Sequence, residues 1–172
     1  RLYHDNVLAK QTGCGRTPWH FDDHHFPLDT NDVVTAWVPA QPIPLEMGPL
    51  SFAYPLDVHK LVNDVKFEKT GTGYDCGISN VFLKNNVSVN KTPFELGEVS
   101  FHHNLNFHTA SSNRTNRSRV ALANTYYRDG ARIVNAPTMV SGDWQKFMPN
   151  VKPGDIAASP LNPICWPVKD KP

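Results

Sequence analysis

The sequence predicts an all-β domain with few helices, built as a sandwich or a barrel. Three observations lead there. Short segments rich in Val, Thr, Trp, Phe and Tyr recur along the chain, turn residues separate them, and no convincing amphipathic helical period appears. At 172 residues the chain is long enough to bury a sizeable core as one domain. Hydrophobic residues make up 40% and charged residues 19%, the balance of a folded chain rather than a disordered one. A net charge of +1 supplies no general attraction to nucleic acid or an anionic membrane, so neither is expected as a partner. No apolar run approaches the roughly 20 residues of a membrane-spanning helix.

In order along the chain, Val7 to Lys10 reads as a short strand, ended by Gly13 and Gly15. Thr17-Pro18-Trp19-His20-Phe21-Asp22 is extended, because Pro18 confines Thr17 to the β region, and Pro27 ends the element. Asp32 to Ala40 is the clearest strand. Gln41 to Met47 holds two prolines and is a connection, and Gly48 to Tyr54 is another strand. From Pro55 to Pro93 the periodicity is poor, so this stretch is expected to be a long irregular insertion serving as a substrate lid. Strand character returns from Glu95 to Phe101, and Asn104 to Thr109 continues as strand or loop. Ser111 to Arg117 is a turn, and Arg119 to Tyr127 is a strand. Prolines at 137, 149, 153, 160, 163, 167 and 172 then forbid regular ladders. The expected organisation is a core over residues 1–136 with a Pro-rich arm, 137–172, packed on it. The chain opens with Arg1 rather than Met, and the upstream part of the domain is expected to lie outside it.

Cys14, Cys76 and Cys165 are odd in number and lack Cys-x-x-Cys spacing, which argues against a disulfide framework and a zinc knuckle. Reduced thiols in an intracellular, cytoplasmic protein are the expectation. Asn86, Asn90, Asn113 and Asn116 match the glycosylation pattern, which matters only in a secreted chain.

Chemistry concentrates in His20 and Asp22. In an extended segment these residues share a face, so an imidazole and a carboxylate stand side by side. A second imidazole from a distant strand completes a three-ligand site with open positions, a set that suits non-haem Fe(II). If the strands flanking Ser111–Arg117 form a hairpin, His108 faces Arg119 and the two share a face. That face carries the small Ala121, Ala123 and Thr125. The bulky Val120, Leu122 and Tyr126 on the other suit a core. An arginine at the mouth of a small-residue face leaves space for a small anion beside a metal. His102 and His103 cannot both point inward on a regular strand and are read as structural or as neighbours of the ligands. His24 and His25 are read as solvated or pocket-lining, and His4 and His59 as surface residues.

The stretches TPWHFDDHHFPLD, VVTAWVPAQPIPLEMGPLSF and ELGEVSFHHNLNFHTASSNRTNRSRVALANTYYRDGAR together resemble the phytanoyl-CoA dioxygenase family of Fe(II)/2-oxoglutarate oxygenases, from Leu8 to Arg132. The resemblance implies a double-stranded β-helix, or jelly roll, with Fe(II), 2-oxoglutarate and O2 as cofactor and cosubstrates. His20, Asp22 and His108 would be the iron ligands, and Arg119 would clamp the distal carboxylate of 2-oxoglutarate. Trp37, Thr35 and Lys10 would line the cosubstrate pocket. Ala110 stands where some members have a serine that also touches 2-oxoglutarate, and Phe21 where glutamine is frequent. Related halogenases have a small residue at the position of Asp22 and bind chloride, so a carboxylate there favours hydroxylation. The implied substrate is a small organic or acyl compound, such as an acyl-CoA or a secondary metabolite. Two rivals are carried: a non-catalytic jelly-roll binding domain, which would bind no metal, and a zinc hydrolase using the same ligands. A member that keeps iron without turnover is a third.

Overall fold

The structure, a computed structural model, describes residues 1–68 and 72–166. The strands are β1 (Leu2–Lys10), β2 (Thr17–His20), β3 (Val33–Pro39), β4 (Leu50–Tyr54), β5 (Ser88–Asn90), β6 (Ser100–His103), β7 (His108–Ala110) and β8 (Arg119–Tyr127). They form two four-stranded antiparallel sheets, ordered β1-β8-β3-β6 and β2-β7-β4-β5. From β1 to β4 and again from β6 to β8, consecutive strands cross from one sheet to the other. Each sheet therefore offers one face to a shared interior, which is the jelly roll the sequence predicts.

That crossing corrects the pairing of His108 with Arg119. No hairpin joins β7 to β8: β7 pairs with β2 and β4, whereas β8 pairs with β1 and β3. The Ser111–Arg117 segment carries the chain between sheets. Arg119 pairs with Lys10 on β1, and His108 lies between His20 on β2 and Phe52 on β4. The assignment of the two faces of β8 is corrected as well. Arg119, Ala121, Ala123, Thr125 and Tyr127 alternate as the buried set, while Val120, Leu122 and Tyr126 are only half-buried. Small residues face inward because the opposite sheet contributes Phe52, Leu50 and the histidines, which fill the space between sheets.

Three apolar clusters surround that interior. Trp37, Ile43, Met47, Leu50, Phe52 and Phe94 pack between the sheets against Ala110, Ala121 and Ala123. Tyr3, Leu28, Val33, Tyr127 and Ile133 close one end, with Trp144, Met148 and Ala157 from the Pro-rich segment packed among them. That segment is tied down by the Tyr127 hydroxyl, which donates to the Ala157 carbonyl, and by the Asn162 amide, which donates to the Leu2 and Tyr3 carbonyls. Residues 167–172, which include Pro167 and Pro172, lie outside the described residues.

The third cluster corrects the reading of Pro55–Pro93 as irregular. That stretch holds α1 (Val58–Leu61), α2 (Gly73–Lys84) and β5, with residues 69–71 outside the described residues. Helix α2 buries Tyr74, Ile78 and Phe82 at i, i+4, i+8 spacing against Ala53, Phe107 and Trp19 on the outer face of the β2-containing sheet. Each fully buried side chain of this size contributes about 1.5–3 kcal/mol. The stripe is one residue wide, and poor helix formers such as Gly77, Asp75, Ser79 and Asn80 fill the rest. Packing on the sheet, not propensity, makes this helix. Among the described residues, no helix is long and apolar enough to cross a membrane.

β6 begins at Ser100, later than predicted, because Glu95 to Glu98 forms a turn in which the Glu98 carboxylate accepts the Glu95 N–H at 2.7 Å. The three cysteines are free and exposed. Asn113 is fully buried, its amide donating to the carbonyls of Lys10 and Arg117, so that glycosylation match is closed off in the folded chain.

Candidate metal centre

His20 ends β2 directly opposite His108 on β7, and the two rings lie 4.2 Å apart between centroids. Each is oriented by its own strand. The His20 Nδ1 lies 2.8 Å from the Pro18 carbonyl and the His108 Nδ1 lies 2.9 Å from the Asn106 carbonyl. A carbonyl only accepts, so both Nδ1 atoms carry the proton and both Nε2 atoms keep a free lone pair. Asp22 follows in the turn after β2. Its N–H donates to the Asn104 carbonyl at 2.8 Å, the Asp23 N–H does the same at 3.2 Å, and the Asn104 amide donates to Asp23 Oδ1 at 2.8 Å. Asn104 is buried and its own N–H is held by Val33. The turn is thereby fixed so that Asp22 Oδ1 lies 3.6 Å from His20 Nε2 and 3.9 Å from His108 Nε2. Ligand atoms of the three residues fall within 4.8 Å of one another, a grouping that can hold a metal ion.

The charges match a divalent cation. Burial by itself would raise the Asp22 carboxyl, but the imidazoles of His102, His108 and His20 gathered around it outweigh burial and hold the group well below the usual carboxylate range. Burial, reinforced by His20, pulls His108 down to about 3, against the opposing pull of Asp22. At neutral pH the site presents an ionised carboxylate and a neutral His108. Linkage gives a test on the metal-free protein. His108 takes up a proton in the unfolded chain near 6.5 but not in the folded one until about 3. Stability is therefore full above 6.5 and is lost as the pH falls through that window, with a slope approaching about 1.4 kcal/mol per pH unit. Thermal unfolding from pH 7 to 4 should show this slope, and His108→Leu should flatten it. Equal slopes would mean that the imidazole is not desolvated as placed.

A positive pole lies at the start of β8. The Arg119 guanidinium donates to the Gly48 carbonyl at 2.7 Å and sits 5.4 Å from the centroid of the Trp37 ring. Its Nε is buried with no protein partner, and so is the Trp37 Nε1. An unmet buried donor costs about 1–3 kcal/mol, so these two N–H groups fit an anion that the protein itself does not supply. Lys10 donates to the carbonyls of Gly15, Ser111 and Ala110 at 3.0, 2.9 and 3.4 Å. Burial, with Arg119 beside it, pulls Lys10 down to about 8. Its protons are spent on carbonyls, which leaves it a contributor of positive potential. Thr35, the remaining predicted pocket residue, pairs its hydroxyl with that of Thr125 at 3.0 Å.

Gly48 holds this arrangement. Its φ is +74°, and a Cβ there would stand 2.2 Å from the Ser111 carbonyl oxygen. Gly48→Ala is expected to cost at least about 1–2 kcal/mol from the left-handed backbone alone and to displace the carbonyl that Arg119 uses. A lowered thermal midpoint checks it, and an unchanged midpoint would rule it out.

The other histidines divide. His102 points inward, 5% exposed, with Nε2 3.8 Å from Asp22 Oδ2, whereas the His103 ring accepts the Leu105 N–H outside the centre. His24 packs its ring at a tilt on Phe21, and His25 approaches the Val140 carbonyl at the surface. His59 is half-buried beside Phe21. The surface reading of His4 is corrected: it pairs with Thr125 on the interior-facing set of β8, packs on Phe147, and buries its Nδ1 without a partner. Asn104, Asn106 and Gly48 escaped the sequence reading. The nearest signal was the Asn-x-Asn-x-His spacing of 104, 106 and 108, which puts two amides on the face of the histidine.

The sequence matches the family model for phytanoyl-CoA dioxygenase over residues 1–121. The chain belongs to the phytanoyl-CoA dioxygenase family. No curated protein matches the sequence. Among solved structures it is similar to the non-heme alpha ketoglutarate dependent carbocyclase SnoK from nogalamycin biosynthesis, with TM-score 0.70 and 23% identity over 94% of this chain and 60% of that one. It is also similar to the epimerase SnoN in complex with Fe3+, alpha ketoglutarate and nogalamycin RO, with TM-score 0.59 and 26% identity over 77% of this chain and 52% of that one. The non-heme monooxygenase ThoJ aligns with TM-score 0.55 and 16% identity over 80% of this chain and 48% of that one. This phytanoyl-CoA dioxygenase family chain therefore spans about half to three-fifths of the length of these neighbours.

Proposed function

We propose that this chain carries the centre of an Fe(II)/2-oxoglutarate-dependent oxygenase that hydroxylates a C–H bond of a small organic substrate. The observation that carries the reading is the pairing of a His-Asp-His group with a buried guanidinium whose Nε has no protein partner. His20, Asp22 and His108 would hold iron, and three protein donors leave the rest of a coordination sphere open. Bound there, iron with 2-oxoglutarate and O2 supplies oxidation of a substrate C–H bond coupled to release of succinate and CO2. The residues do the rest. His20 and His108 present lone pairs fixed by backbone carbonyls, and Asp22 supplies the negative charge. Arg119 would donate to the distal carboxylate in a charge-assisted pair, with Trp37 as a wall and Lys10 adding positive potential. A zinc hydrolase would give the buried Arg119 no anion to hold, and a non-catalytic domain would leave both ends of the site unexplained.

A cavity of about 750 Å³ opens beside the centre, lined by Leu50, Phe52, Phe94, Phe101 and His102 among others. Its lining includes Glu95 and Glu98 but no Lys or Arg, a poor match for the phosphates of an acyl-CoA. A neutral or cationic ring compound of the secondary-metabolite kind fits better. From the insertion before Glu95, Asn90, Thr92 and Pro93 reach this cavity, and they form its substrate-facing border. Anaerobic addition of Fe(II) and 2-oxoglutarate should produce a visible charge-transfer band, bleached on admitting O2. A colourless mixture would overturn the reading.

A further inference from the structure

His102 is the imidazole beside the centre to which the proposed ligand set gives no task. Alternation along β6 turns Ser100 and His102 inward and leaves Phe101 outside, 70% exposed. Across the strand pair His102 faces Thr35, and its ring lies 5.0 Å from that of His108 and 5.3 Å from that of Phe52. The two oxygens of Asp22 have different neighbours. Oδ1 faces the Nε2 atoms of His20 and His108, at 3.6 and 3.9 Å, whereas Oδ2 faces the Nε2 of His102 at 3.8 Å. On its far side the His102 Nδ1 lies 3.1 Å from the Ser100 hydroxyl.

We propose that His102 is a positioning residue: Ser100 donates its hydroxyl to Nδ1, which places the proton of His102 on Nε2 and directs it at Asp22 Oδ2. On the Oδ1 side a metal would stand between the carboxylate and the lone pairs of His20 and His108; on the Oδ2 side the opposite tautomer of His102 would set a lone pair directly against a carboxylate oxygen, two acceptors facing each other in a buried site. A shift of less than about 1 Å brings the contact to hydrogen-bond length. The effect is to commit Oδ2 to the protein and leave Oδ1 alone for a metal. A carboxylate held in this way binds through one oxygen and does not occupy the position that a cosubstrate needs. His102 also lines the cavity beside the centre, so it separates substrate space from Asp22.

This inference rests on the metal-site reading above, and cobalt(II) alone separates the two. Cobalt(II) is titrated into the full chain by visible absorption, and coordinated imidazoles are counted by X-ray absorption. The wild-type protein should bind with two imidazoles. His102→Leu should bind about 10–100-fold more weakly, still with two imidazoles. His102→Gln, which keeps an N–H donor, should recover most of the affinity. Equal affinity in the wild type and His102→Leu would overturn the positioning role, as would a Gln variant no better than Leu. Three imidazoles in the wild type would make His102 a ligand and overturn it too. A wild-type protein that binds no cobalt would overturn the metal-site reading itself, and this inference with it.

Discussion

Asp22→Ala is expected to abolish 2-oxoglutarate turnover, by about 10³-fold or more in succinate release, the scale on which removing one member of a catalytic unit acts. The reason is electrostatic before it is geometric. Asp22 is the carboxylate in a group otherwise made of His20 and His108, and a divalent cation in a half-buried site needs its charge balanced. The nearest substitute in sequence, Asp23, is committed, because its Oδ1 accepts the Asn104 amide at 2.8 Å. The fold should survive the change, since the backbone of residue 22 keeps its 2.8 Å hydrogen bond to Asn104. Fe(II)-dependent succinate release, with circular dichroism as a control for folding, checks the result. Retained turnover would mean that another carboxylate serves the metal.

Arg119→Ala should raise the 2-oxoglutarate concentration required for half-maximal turnover by about a hundredfold, from the loss of about 3 kcal/mol when one partner of a buried, hydrogen-bonded charge pair is removed. Metal binding without the keto acid should be unchanged, because Arg119 approaches Gly48 and Trp37 and stands outside the His-Asp-His group. Arg119→Lys should rescue little. A single ammonium lacks the planar fork that grips a carboxylate with two parallel hydrogen bonds. Binding of 2-oxoglutarate to the cobalt-loaded variants, followed by calorimetry, gives the comparison. An unchanged requirement would remove Arg119 from the site.

The strands were legible because β-branched and aromatic residues crowd β3 (VVTAWVP) and β8 (RVALANTYY), side chains that fit a pleated, half-buried surface. His20 and Asp22 stood out because two residues apart is a local relation, but the extended reading is corrected at Asp22: β2 ends at His20, and Asp22 takes a helical-region backbone in the turn that follows. The pairing of His108 was misjudged for the opposite reason. A turn-like segment between two strands reads as a hairpin, yet Ser111–Arg117 joins strands of different sheets, and only the crossing of the chain reveals it. Helix α2 was hidden because its buried stripe of Tyr74, Ile78 and Phe82 is narrow and set among poor helix formers.

By itself, the sequence determined the strand content, the His-x-Asp pair and the charged residue that opens β8, since each follows from alternation or from residue type within a few positions. Only the tertiary structure decided that His20 lies opposite His108, that His102 turns towards Asp22 while His103 turns away, and that Gly48 offers its carbonyl to Arg119. Those relations depend on strand register and on the close approach of segments far apart in the chain. A one-residue slip in either would invert the faces without altering any local pattern.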